Sequence, residues 1–141
     1  MTALLSTAGF LNLVSFKHNK TLILNKDKMV GYLQTARERA INQEGGYKWG
    51  VRFDNTNSDN GSFTIFFGDT YSLSGKREMH YLNSGVKFVN PPSGQVLDVI
   101  FEKRTGSISL EQRITIENMS LPGNFGEASV SLMGLIDSRL Y

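Results

Sequence analysis

Asn55, Asn57 and Asp59 alternate through the run DNTNSDNGS at 54–62, and alternating side-chain oxygens are what a calcium loop offers its ion. In that register the loop requires glycine at 60, where asparagine stands, and a bidentate glutamate at 66, where phenylalanine stands. An EF-hand is excluded, and the same residue types predict a polar hairpin turn closed by the tight pair Asn60-Gly61. His18 and His80 belong to no HExxH or HxH spacing, so each reads as a solvated side chain. Ser84-Gly85 and Ser93-Gly94 lack the GxSxG elbow, and spacing assigns them no acid and histidine partners. Glu44, Asp69, Glu78 and Asp98 could form a carboxylate pair, but a chain with 13 acidic residues offers many such pairs and nothing selects one. Neither phosphate-cradling glycine pattern, GxGxxG or the P-loop, occurs. The reading is a non-enzyme with no catalytic, cofactor-binding or metal-ligating set and no small-molecule substrate.

The elements behind these residues divide the chain in two. Leu22, Met29, Leu33, Ala36 and Ala40 recur at helical spacing with no proline among them, which predicts one long helix from about Thr2 to Gln43. Gly45 and Gly46 follow and would supply the positive φ of a C-cap. Tyr47, Trp49, Val51 and Phe53 then alternate with Lys48, Gly50 and Arg52, the pattern of a half-buried strand, and Phe63, Ile65 and Phe67 resume it. Residues 68–83 read as irregular. Further strands are expected at 85–90, at Leu97 to Phe101, at Ile108 to Ile116 through Leu110 and Ile114, and at Val130 to Ile136 through Leu132. The expectation is an α+β fold in one domain. A long N-terminal helix over 1–43 packs on antiparallel β-sheet formed by about six strands of a β-rich head over 47–141.

Charge follows the same division. The segment 1–43 carries six Lys or Arg against Asp27 and Glu38, a net +4, while the rest holds nine Lys or Arg against eleven Asp or Glu. A basic helix could meet nucleic acid or anionic lipid, although a solvated face accounts for the same charges. The aromatic and basic residues of 47–53 alternate, which puts cations on one face and rings on the other, as core-in, solvent-out packing does. The first sixteen residues, MTALLSTAGFLNLVSF, carry no charge, fall short of the roughly 20 apolar residues of a bilayer span, and lack the basic start of a secretory signal. A helix of roughly 40 residues reaches about 60 Å, so this end is expected to project from the head. Cysteine is absent, which excludes disulfides and thiolate sites.

The order of motifs over 30–88 resembles that of minor type IV pilins and the minor pseudopilins of type II secretion. The helix end Leu33, Ala36, Arg37, Ala40, Ile41 is similar to the family's L-x-x-A-R-x-x-A-I. Trp49, Gly50, Val51 and Phe53 resemble its W-G-V-x-F strand, and Phe66, Gly68, Asp69 and Tyr71 its F-x-G-D-x-Y element. LNSGVKF at 82–88 resembles L-P-x-G-V with asparagine in place of proline. The front departs from the family: Gly9-Phe10-Leu11-Asn12-Leu13 matches its processing site poorly and no glutamate precedes Asp27. The chain therefore reads as starting inside the family's long helix, and processing, methylation and membrane insertion carry over to no residue here.

The resemblance implies a pilin-like fold and a structural subunit of a bacterial envelope filament, a type IV pilus or a type II secretion pseudopilus. Its partners would be other pilin or pseudopilin subunits and, in full-length form, the inner membrane, with a periplasmic head. Leu22, Met29, Leu33, Ala36 and Ala40 are expected to dock helix to sheet, and Leu4, Leu5, Phe10, Leu13 and Phe16 to make filament-core contacts. The alternative is a DNA-uptake pilin that binds nucleic acid through Lys and Arg.

Overall fold

The computed structural model describes residues 2–57 and 59–141, with side chains from residue 19 onward. Helix α1 spans Thr2–Ile41. The helical stripe of the sequence faces the head: Leu22, Met29, Leu33, Ala36 and Ala40 are all buried in one continuous core. Burying a leucine or methionine side chain in this way contributes about 1.5–3 kcal/mol.

The helix stops earlier than its composition predicts. Gln43, not a glycine, takes the first left-handed conformation, φ 53° and ψ 40°, and the chain makes a single 3-10 turn over Glu44–Gly46. Gly45 and Gly46 are left-handed as well, at φ 66° and 79°. The carbonyl of Ala40, left open at the helix end, accepts from the amides of Gln43 and Arg104.

Eight strands follow among the described residues: β1 (Trp49–Asp54), β2 (Ser62–Phe67), β3 (Lys76–Tyr81), β4 (Val86–Asn90), β5 (Val96–Phe101), β6 (Gln112–Asn118), β7 (Phe125–Val130) and β8 (Ile136–Leu140). They form two four-stranded sheets, ordered β3-β2-β1-β5 and β4-β6-β7-β8, with every pairing antiparallel. Val51 is the register mark of the first sheet, opposite Ile65 on one side and Val99 on the other. Ile116 opposite Gly126 and Val130 opposite Ile136 play that part in the second. The helix lies against both sheets, and Phe53 of β1 meets Phe88 of β4 edge to face at 6.1 Å, joining one sheet to the other. This is an α+β fold with an N-terminal helix packed on antiparallel sheet.

Several local expectations are corrected. No tight Asn60-Gly61 turn exists, because 55–61 forms a seven-residue loop in which Asn55 donates to the Pro91 carbonyl at 2.9 Å. The stretch expected to be irregular contains β3, an edge strand whose KREMHY sequence shows no alternation because neither of its faces is fully buried. Ile108 and Leu110 lie in the loop before β6. Leu132 sits in the turn that divides the expected last strand into β7 and β8.

Candidate assembly surfaces

The faces of α1 are set by its period. Its buried stripe is the docking surface just described, and the flanking positions carry the cations. Arg39 reaches over the sheet edge to β3 and forms a fork with Glu78, Nη2 to Oε1 at 2.7 Å and Nη1 to Oε2 at 3.0 Å. Its Nε stands 3.5 Å from Glu44, and its guanidinium lies over the Trp49 ring at 5.0 Å. The fork holds the Glu78 carboxyl below the ordinary carboxylate range, against the opposing effect of its partial burial.

On β1 the outward cations are likewise engaged. Arg52 forms a bidentate pair with Asp98 of β5, at 2.7 and 2.8 Å, and stacks on Tyr71 at 3.9 Å. Lys48 lies 3.1 Å from Glu102 and 4.0 Å from Asp69. The four carboxylates weighed in the sequence as a catalytic pair, Glu44, Asp69, Glu78 and Asp98, are thus each matched to a cation. Spacing alone could not show this, because Arg52 and Asp98 are brought together only by the β1–β5 register.

His80 differs from its expectation as a solvated side chain. It is half-buried on β3, with its ring 5.2 Å from Phe63 and 6.5 Å from Tyr32. Burial first, and Lys28 second, push its pKa below the ordinary 6.5. The side chain of His18 lies outside the described residues. In the 54–62 loop the oxygens serve the backbone: Asp54 accepts from the Thr56 amide and Asn57 from that of Asp59. Among the described residues no three acidic, histidine or cysteine side chains converge as a metal site.

Two poles carry a cleft or exposed apolar side chains. At the helix-entry pole Asn19, Leu22 and Ile23 meet Phe125, Leu140 and Tyr141 across a cleft of about 230 Å3. At the opposite pole, where α1 ends, Leu110, Leu132, Met133 and Leu135 stand 54–72 % exposed. The two loops of this pole are tied by the Ile108 amide donating to the Leu132 carbonyl at 3.0 Å. Sequence reasoning places Leu110 and Leu132 in strands and so misses this surface; Gly106, four residues before Leu110, and Gly134, two after Leu132, are the available signs of turns.

The side chains of Leu4, Leu5, Phe10, Leu13 and Phe16 lie outside the described ones, although α1 runs through these positions. The first core side chain of the helix among the described residues is Leu22, 20 residues and about 30 Å after Thr2. No helix among the described residues is long and apolar enough to cross a membrane.

No family model and no curated protein matches the chain. Among solved structures, the type IV minor pilin FimU of Pseudomonas aeruginosa PAO1 is similar to it, with a TM-score of 0.57 and 15% identity over 81% of this chain and 89% of that one. Two sheets of antiparallel strands laid along one long N-terminal helix give this chain the fold of a type IV minor pilin.

Proposed function

We propose that the chain is a non-enzymatic structural subunit, a minor pilin or minor pseudopilin, that assembles into a type IV pilus or a type II secretion pseudopilus through its N-terminal helix. The observation that carries this reading is the mismatch between helix and head. Among the described side chains the docking stripe runs from Leu22 to Ala40, while α1 starts at Thr2 and residues 2–16 are uncharged. That uncharged stretch, about 22 Å of helix, gains from packing its apolar side chains against like helices of other subunits. Leu4, Leu5, Phe10, Leu13 and Phe16 are the side chains that would make those contacts. A nucleic-acid reading is the weaker one, because Arg39, Lys48 and Arg52 are committed to carboxylates.

The test is cysteine crosslinking in cells of origin, with single cysteines placed at positions 5, 10 and 13 of the full gene product. Crosslinks to other pilin-like subunits are expected, and their identity separates pilus from secretion system. A gene product that stays soluble and monomeric, with no such adducts, refutes the reading.

A further inference from the structure

Arg37, on the last turns of α1, forms no ion pair with a carboxylate among the described residues. It projects from the last turns of the helix, where the β5–β6 and β7–β8 loops close over it. A Cβ on Gly106 would stand 3.0 Å from Arg37 Cγ, and one on Gly134 only 2.9 Å from Arg37 Nε. That Nε is fully buried and has no hydrogen-bond partner among the described residues. Burying a guanidinium N–H unpaired is costly, and no ion pair offsets it: the neighbouring Glu38 lines the same cleft without approaching to salt-bridge distance. The cleft, about 300 Å3, lies between Gln34, Arg37, Glu38 and Ile136, and the loop that brings Gly134 against Arg37 also carries the exposed Leu132, Met133 and Leu135.

We propose that this cleft is a docking site for a carboxylate carried on an apolar segment of a neighbouring subunit. With Nε sealed, the guanidinium has only its two terminal nitrogens to offer, the end-on fork that takes both oxygens of one carboxylate. Charge complementarity favours an acidic partner: the exposed Lys103 and Arg104 stand on the loop that covers Arg37, whose Glu102 is already paired with Lys48, and Glu38 is the anion that lines the cleft. Ile136 in the cleft wall and the exposed leucine and methionine side chains of the adjoining loop favour a monoanion on a hydrophobic stem over a phosphate, which they cannot solvate. The site also lies at the end of the head remote from Thr2, where a subunit stacked along the helix direction would arrive. The identity of the partner as a subunit rests on the proposed function; the carboxylate site itself does not.

The test uses sodium octanoate as the probe, titrated into the 15N-labelled 141-residue chain, with octanamide as the uncharged control. The Arg37 Nε–H signal and the Gly106 and Gly134 amides are expected to shift saturably with octanoate and at least tenfold more weakly with octanamide. E38Q should tighten octanoate two- to threefold by removing the anion that lines the cleft, and R37Q should abolish the shifts. If R37Q perturbs the whole spectrum, R37K, which keeps the charge but not the fork, should still weaken binding. Equal response to octanamide, no response to octanoate, or no effect of E38Q overturns the site. Failure here with subunit crosslinks intact removes the site and leaves the proposed function; octanoate binding without crosslinks does the reverse.

Discussion

Gly134 carries two constraints that a single substitution separates. Its φ is +83°, and a Cβ added there would lie 1.7 Å from the carbonyl oxygen of Gly106, where real Cβ atoms come no nearer than about 3.0 Å. The β7–β8 loop would have to retreat by more than an ångström. That retreat loads the hydrogen bonds that hold it, Gly134 to Ser131 at 2.8 Å and Ile108 to Leu132 at 3.0 Å. Gly123 is the matched control: its φ is +91° but nothing lies within 4 Å of its Cβ position. Gly123→Ala should therefore lose only the left-handed cost, about 1–2 kcal/mol. Gly134→Ala adds an overpacking cost of about 1–3 kcal/mol, for a total near 3 kcal/mol or more. For a chain of this size that is roughly a 10 °C fall in Tm. Urea unfolding followed by tryptophan fluorescence and circular dichroism reads both variants on one scale. Equal losses for the two would refute the claim that the pole is closed by a backbone-to-backbone contact.

Leu33→Ala, at a fully buried position of the docking stripe, should cost about 2–5 kcal/mol by urea unfolding, whereas alanine at the exposed Gln34 should cost under ~0.5 kcal/mol. Arg52→Lys keeps the charge but loses the fork to Asp98 and the stack on Tyr71; a loss of about 1 kcal/mol in the same assay is expected. Acid should destabilise the head in two windows. The folded-state pKa of His80 lies below the ordinary 6.5, so the unfolded chain binds that proton more readily and stability falls as pH drops from 6.5 toward the lowered value. Glu78, whose folded pKa lies below the ordinary 4.5, adds its loss only below 4.5. His80→Phe should remove the first window and Glu78→Gln the second in pH-dependent melts.

How much was legible in the sequence depended on whether one element or two decided a residue's role. The stripe from Leu22 to Ala40 is a property of one helix, and its period of 3.6 is written in the order of residues. The alternation from Trp49 to Phe53 is likewise local. By contrast, β3 is an edge strand that reads lysine, arginine, glutamate, methionine, histidine, and its strand character comes from its pairing with β2. Gly61 looked like a turn residue, yet it takes no positive φ. A Cβ there would meet Phe88 at 2.8 Å and Leu82 at 2.9 Å, so its small size serves packing between distant segments. Arg37 was visible as a motif residue of the helix. That Gly106 and Gly134 would close over its Nε was not, since roughly 70 and 100 residues separate them from it.

The junction between α1 and β1 also decides how the head would bear force. The helix ends in four consecutive left-handed or 3-10 positions, Gln43 to Gly46, and enters, within a few residues, an interior strand of the first sheet, flanked by β2 and β5. A pull along α1 therefore does not peel an edge strand away one hydrogen bond at a time. It must slide the whole Leu22–Ala40 stripe past both sheets and shear two strand ladders together, so the chain is anchored at its most load-resistant point.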